Sequence, residues 1–321
     1  MNAKIIGTGC QLPAYAADNH YLSTLVETSD EWITERTGIR MRHLAQKETT
    51  TSLSVDAAGK ALASAGMQAS DIDLLIVATI TADTETPSTA CRVQAEIGAV
   101  NAVAFDINAA CSGFLYALHI ADAFIKSGVY KNALLIGAET LSKLVDWTDR
   151  GTCVLFGDGA GAAVLTASEQ GGVLSQSVGS NGSKWEVLSC AARPVKNPVC
   201  GSAEAPGYLR MDGQEVFKFA VKTVPLCIED ALEKAGLKPE EITYYLLHQA
   251  NKRIIQSVAK RLKQPEERFP MNIDQCANTS AASLPILLAQ MDTQGRLHPG
   301  DKLVLSGFGA GLTWGACVLE W

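Results

Sequence analysis

Three residues carry the chemistry this sequence has to offer. Cys111 stands in "FDINAACSGFLYALHIADAFIKSG", Phe105 to Gly128, which reads as a strand end, a tight small-residue turn and an amphipathic helix beginning at the cysteine. At the first turn of a helix, unpaired N–H groups and the positive dipole end favour thiolate over thiol. Ala109 and Ala110 let a substrate approach closely. A serine there would need a strong base before it could attack, and a thiolate does not. His248 follows the strand "ITYYLL", and Asn278 opens "NTSAAS". Both bring N–H donors that can polarise a carbonyl. Each of the three also has a plain reading: a buried structural cysteine, a core histidine with its bonds satisfied, an asparagine that shapes a turn.

What would bring them together is an internal repeat. "AGMQASDIDLLIVATIT" from Ala65 matches "AGLKPEEITYYLLHQAN" from Ala235, 170 residues later. "NAACSGFLYALHIA" from Asn108 matches "NTSAASLPILLAQM" from Asn278, and "KNALLIGAETL" from Lys131 matches "DKLVLSGFGAG" from Asp301, at the same offset. The chain therefore reads as two duplicated halves, 1–171 and 172–321, a two-fold body rather than a solenoid. Cys111 matches Ala281 and His248 matches Ala78, so the fold itself asks for neither sulfur nor imidazole. Each half alternates strand and helix, and the short apolar strands imply burial on both faces. The predicted class is α/β, an αβαβα stack with the Cys111 and Asn278 helices as its central layer. Residues 172–215, rich in Gly, Ser, Pro and Lys, read as a surface excursion. "SGFGAGLTWGA" from Ser306 matches the loop after "LLIGAE", so its backbone N–H groups should reach the same crevice. One of them, with the N–H of Cys111, would make an oxyanion hole.

Composition narrows the function. The chain has 321 residues, 47% apolar and 19% charged, with formal net charge −7, which argues against nucleic acid as the main partner. No apolar run approaches the ~18–20 residues that span a bilayer. The start, "MNAKIIGTGCQLP", goes straight into a strand without a signal-peptide pattern. Nine scattered cysteines without a CxxC pair suit a reducing cytoplasm. His20, His43, His119 and His298 show no metal-ligand spacing, and no metal or cofactor is expected. "GDGAGAAVL" from Gly157 leads into a strand and lacks the Lys-Ser/Thr of a phosphate loop, so it reads as a turn and buried strand.

Taken together, "SDEWITERTGIRMRH", "AACSGFLYAL", "TDRGTCVLFGDGAGAAVL", "MDGQEVFKFAV", "HQANKRII", "NTSAASLP" and "GFGAGLTWGA" resemble the β-ketoacyl-acyl-carrier-protein synthase III family along essentially the whole chain. These are the initiating condensing enzymes of bacterial fatty acid synthesis, and they have the thiolase fold. The resemblance implies Cys111, His248 and Asn278 as a catalytic triad, acyl-CoA and malonyl-acyl carrier protein as substrates, and a cytoplasmic homodimer. It implies an oxyanion hole from the N–H groups of Cys111 and Ala310, an adenine held between Trp32 and Arg150, and Thr28 and Arg36 at the entrance. Gly213, Phe217, Ala250 and Asn251 would line the pantetheine tunnel. Lys252, Arg253, Lys260, Arg261 and Lys263 form a basic cluster, either a dock for an acidic carrier protein or a solvated helix face.

Two positions depart from the family pattern. Ala310 stands where a third glycine is common. Thr86 stands where some members carry a phenylalanine that closes the acyl pocket from across the dimer, which suggests longer or branched primers. The alternative function is a related acyl-transferring or condensing enzyme of specialised, polyketide-type metabolism. A thiolase proper would need a second reactive cysteine, for which Cys276 and Cys317 are poorly placed. A non-catalytic subunit is opposed by the three residues occurring together. A cysteine hydrolase would use the histidine as base and release free acid.

Overall fold

The structure, a computed structural model, describes residues 1–192, 194–195, 197–199 and 207–321; Cys200 lies outside them. Two mixed sheets form the body. The first contains β1 (Asn2–Gln11), β2 (Leu74–Ala78), β3 (Val103–Ile107), β4 (Asn132–Glu139) and β5 (Gly159–Ser168), ordered β1-β5-β4-β2-β3. The second contains β6 (Gly172–Ser180), β7 (Tyr244–Leu247), β8 (Lys302–Gly309) and β9 (Thr313–Glu320), ordered β6-β9-β8-β7. β2 is parallel to β3 and β4, and β7 is parallel to β8; the remaining pairs are antiparallel. Order and direction thus repeat over four strands. Where β3 would recur, the chain forms a short helix, Ile273–Cys276.

The helices that position the site are α1 (Asp30–Thr37), α2 (Thr50–Ala65), α3 (Thr89–Ile97), α4 (Gly113–Lys126), α5 (Gly213–Ala235), α6 (Lys252–Leu262) and α7 (Ser283–Thr293). Strand side chains alternate between two environments, as a pleat requires. Leu74 and Ile76 face inward with Leu246, Leu303 and Leu305, against Phe114, Leu115 and Leu118 of α4 and Leu284, Leu287 and Leu288 of α7. Leu75 and Val77 face outward onto Leu53, Ala57 and Ala61 of α2. Tyr245, Leu247 and Val304 face outward onto Val216 and Ala220 of α5 and Ile254 and Val258 of α6. Each fully buried Leu or Val contributes roughly 1.5–3 kcal/mol. The result is the expected layered, thiolase-like αβαβα stack. α7, "SLPILLAQMDT", is apolar nearly all round because protein covers it on every side. It lies so close to β5 that a Cβ on Gly161 would stand 2.5 Å from the backbone nitrogen of Ile286.

Three expectations need correction. The stretch 172–215 is not one excursion: residues 172–180 are β6, hydrogen-bonded along β9, and Gly213 already opens α5. α4 begins at Gly113 rather than Cys111, which sits in a preceding 3₁₀ turn, Ala110–Ser112. The 170-residue period holds to the end of β8 and then breaks: residues 140–158 join β4 to β5, but only 310–312 join β8 to β9.

Candidate active site

The two central turns are built alike. Ala110 (φ 46°) and Ser280 (φ 49°), 170 residues apart, both take the left-handed conformation that non-glycine residues rarely adopt. An asparagine supports each: Asn108 Oδ1 accepts from Ala110 N at 3.4 Å, and Asn278 Oδ1 accepts from Ser280 N at 2.9 Å. Asn278 is therefore a turn residue, as its plain reading held, but only through its oxygen. Its NH2 group has no partner among the described residues, and the side chain lines a cavity. The backbone is pinned on both sides, Asn278 N to Leu155 O and Gly157 N to Asn278 O, each at 3.0 Å.

That cavity, about 470 Å3, is also lined by Cys111 and His248. β8 sets their spacing. A Cβ on Gly307 would lie 3.1 Å from the Cβ of His248, and one on Gly309 would lie 2.6 Å from the nitrogen and 3.2 Å from the Cβ of Cys111. Gly307 and Gly309 lie on one face of the strand, two residues apart, so His248 and Cys111 pack against neighbouring positions of the same strand face. Glycine is required at 309 because backbone approaches backbone there. The N–H of Cys111, at the start of its turn, has no intrahelical acceptor. The rest of the turn is held by Thr313 Oγ1, which donates to Ala109 O at 3.2 Å and bonds Ser112 Oγ at 3.1 Å.

His248 is buried, edge-on to Phe308 with ring centroids 5.6 Å apart, and its Nδ1 is 2.6 Å from Ser283 Oγ. Burial drives its pKa down to about 3, so the imidazole is neutral. Cys111 is half-buried, and the protein around its sulfur pushes the thiol up to about 12; Ser280 opposes this and the Glu139 charge adds to it. The expected standing thiolate is thus outweighed by desolvation: the resting pair is thiol and neutral imidazole. Glu139 itself is fully buried and raised to about 7 by burial, against hydrogen bonds from Thr81 Oγ1 (2.6 Å), Ile80 N (3.2 Å) and Thr79 Oγ1 (3.3 Å). Ser280 Oγ has no partner within hydrogen-bond distance, yet it is near enough to both Cys111 and Glu139 to favour their charged forms. Glu139 and Ser283 escaped the sequence reading.

A second, smaller cavity of about 50 Å3 also reaches Cys111, walled by Ile80, Leu141, Phe156, Leu188 and Leu209 and touched by Ala310. Cys111, Phe156 and Leu188 border both cavities.

The four residues expected to form the tunnel, Gly213, Phe217, Ala250 and Asn251, all line the larger cavity, together with Arg36 of the expected entrance and Arg253 of the basic cluster. Asn251 caps α6, accepting from Arg253 N at 2.8 Å, and donates to Arg36 O at 3.0 Å, so it ties α1 to α6 at the mouth. Lys252, Arg253, Lys260, Arg261 and Lys263 are exposed, opposite the buried Ile254, Ile255, Val258 and Leu262. Trp32 lies outside the lining, with the guanidinium carbons of Arg150 and Arg36 at 4.8 and 4.9 Å from its ring centroid. A nucleobase between Trp32 and Arg150 needs faces about 7 Å apart, twice the usual ~3.5 Å contact. The slot is closed, with Arg150 held by Glu27 O at 2.9 Å, and that arginine must swing aside to admit a ring. Thr28 is half-buried, its Oγ1 unpartnered. Thr86 is exposed and borders neither cavity of its own chain; it shares a surface hollow with Ile80, whose side chain also walls the small cavity. Among the described residues no helix is long and apolar enough to cross a membrane, and no three His, Cys, Asp or Glu side chains gather as a metal site.

Comparison with known proteins finds relatives along the whole chain. Residues 105–182 match the family model 3-Oxoacyl-[acyl-carrier-protein (ACP)] synthase III, and residues 232–321 match the model of its C-terminal part. The chain is 50% identical to a beta-ketoacyl-[acyl-carrier-protein] synthase III of Clostridium perfringens over 99% of both chains. It is likewise 50% identical to one of Clostridium novyi, over 100% of this chain and 99% of that one. The crystal structure of 3-oxoacyl-[acyl-carrier-protein] synthase III from Aquifex aeolicus superposes with TM-score 0.93 at 48% identity, covering 99% of this chain and 100% of that one. The priming β-ketosynthase of the R1128 polyketide pathway superposes with TM-score 0.93 at 35% identity, covering 99% and 96%.

Proposed function

The chain belongs to the β-ketoacyl-[acyl-carrier-protein] synthase III family, and from that premise we propose how its residues perform the condensation of a short acyl-CoA primer with malonyl-acyl carrier protein. The observation that carries the reading is that Cys111, His248 and Asn278, from matching turns of two sheets, line one cavity. Cys111 sulfur attacks the primer thioester, and the thiol proton ends on the departing CoA sulfur. The acyl group then occupies the small cavity, and the larger one takes the carrier's pantetheine arm. His248 Nε2–H and the Asn278 NH2 group donate to the malonyl thioester oxygen as CO2 leaves and negative charge gathers there. The resulting carbanion attacks the acyl carbon on Cys111, the carbon–sulfur bond breaks to release 3-oxoacyl-carrier protein, and the freed thiolate takes a proton from solvent to restore the thiol. The N–H groups of Cys111 and Ala310 hold the tetrahedral oxygen in both acyl transfers. Charge builds on oxygen in each step, so donors already in place supply most of the rate, about 3–4 kcal/mol each.

The same reading assigns Trp32, Arg150, Thr28 and Arg36 to the CoA entrance and the exposed basic face of α6 to the acidic carrier, beside the mouth it must enter. It takes 1–171 and 172–321 as the two halves of a cytoplasmic homodimer subunit, with Thr86 set toward the partner's acyl pocket. Intact-mass analysis after mixing with a panel of acyl-CoAs tests it. One acyl adduct is expected on the parent protein and none on Cys111→Ala. An adduct that survives the substitution, or free acid released without carbon–carbon bond formation, overturns it.

A further inference from the structure

We propose that Ser283 is a positioning residue that locks His248 in the tautomer carrying its proton on Nε2. The inference rests on the condensation reading, in which His248 must donate from Nε2. A neutral imidazole has one N–H, so whichever nitrogen holds it decides whether His248 is a donor or an acceptor toward substrate.

The geometry settles which one. Ser283 Oγ, buried at the first residue of α7, lies 2.6 Å from His248 Nδ1. The same oxygen is approached at 3.4 Å by the backbone N–H of Gln249, which can only donate. Gln249 cannot turn away: its Nε2 donates to Leu247 O at 2.7 Å, and its Oε1 accepts from Asn272 N at 3.1 Å. The hydroxyl hydrogen of Ser283 therefore has one acceptor among the described residues, Nδ1. Were Nδ1 protonated, two N–H groups would point at one oxygen, and a buried O–H would be left without an acceptor. With Ser283 donating, the chain Gln249 N–H to Ser283 O–H to Nδ1 is complete, and Nε2 carries the hydrogen on a ring that lines the cavity. Burial keeps the ring neutral, so the tautomer is not overridden by protonation.

The first half shows that the fold does not need this hydroxyl. The positions matching His248 and Ser283 are Ala78 and Gly113, and Gly113 likewise opens a central helix. A Cβ on Gly113 would stand 2.8 Å from the Cβ of Ala78, so the two positions touch in that half too, without a polar atom. A hydroxyl accompanies the imidazole and is absent where the imidazole is absent.

The test begins with unsubstituted protein: two-bond 1H–15N correlation of 15N-histidine-labelled enzyme, with His248→Ala identifying the signal. The expected spectrum has a protonated Nε2 and a bare, hydrogen-bonded Nδ1. A protonated Nδ1 overturns the proposal and leaves the condensation reading untouched. Ser283→Gly, which copies the first half, is expected to mix the tautomers and to slow malonyl decarboxylation by the acyl-enzyme at least about tenfold. Acylation of Cys111 should stay within about twofold, and Ser283→Thr should restore both the tautomer and the decarboxylation rate. Unchanged tautomer and rate in a folded Ser283→Gly overturn the proposal. If instead no acyl-CoA labels Cys111, or His248→Ala decarboxylates normally, it is the condensation reading that fails.

Discussion

Gly309→Ala puts the proposed oxyanion donor under direct strain. The added Cβ would lie 2.6 Å from the nitrogen of Cys111 and 3.2 Å from its Cα and Cβ. Ordinary contact begins at about 3.5 Å, so β8 or the Cys111 turn must give by roughly 0.9 Å. Neither moves freely: Gly309 is paired with Thr313 of β9, and the Cys111 turn is held by the Thr313 hydroxyl. Crowding of this kind costs about 1–3 kcal/mol of stability. A shift of that size also takes a 2.9 Å hydrogen bond from the Cys111 N–H beyond the bonding range. Losing one such donor costs about 2.7–4 kcal/mol, so acylation of Cys111 should slow by about 100- to 1,000-fold. Time-resolved intact mass after mixing with acyl-CoA measures this directly, and thermal unfolding reports the strain. Gly59→Ala is the control, since a Cβ there meets nothing within 4 Å; it should leave acylation unchanged. A folded Gly309→Ala that acylates within about threefold of the parent would refute both the crowding argument and the role of that N–H.

Asn278→Asp keeps the oxygen that supports Ser280 and removes the NH2 donor; the protein should fold while malonyl decarboxylation falls by about 100- to 1,000-fold, and a near-normal rate would show that only the turn matters. Glu139 holds its proton to about pH 7 when folded against 4.5 ordinarily, so the native state binds the extra proton between those values and stability falls as pH rises through them. The loss is on the order of 3 kcal/mol; denaturant midpoints of the parent should fall from pH 5 to 8 relative to Glu139→Gln, and parallel curves would contradict the burial argument. With its thiol pushed toward 12, Cys111 should react with iodoacetamide about tenfold faster per pH unit up to at least pH 9; a plateau below pH 8 would mean that the helix end prevails over burial. Comparing acetyl-, isobutyryl- and octanoyl-CoA reads the acyl pocket: Thr86 predicts turnover beyond acetyl, and strict acetyl preference counts against that role.

Much of the architecture was legible because duplication writes it twice. The offset of 170 alone puts Cys111, His248 and Asn278 in matching turns of the two halves, although Asn278 follows a short helix where the repeat implied a strand end. β6 was missed because "GVLSQSVGS" has little intrinsic strand character; its conformation comes from pairing with β9. The offset would still have found it, since Gly172 lies 170 after Asn2. The ionisation of Cys111 was misjudged because a helix start is visible in a sequence and the low-polarity packing around a sulfur is not. Glu139 ends an apolar strand, and only the folded chain shows it fully buried; the one hint in the sequence is that its match is Gly309. Ser283 escaped notice because its partner is 35 residues away and the contact depends on where β7 meets α7.

The two hairpins that close the sheets differ in reach. Three residues turn β8 into β9, whereas residues 140–158 are long enough to cross from one twin to the other. That longer arm brings Leu141 and Phe156 to the sulfur, Arg150 to Trp32, and the backbone that clasps Asn278. A perfectly repeated molecule would have two equivalent doorways and no reason to prefer either. Sixteen extra residues on one side make the two faces of this near-symmetrical body unlike, so that the site opens by one doorway rather than two.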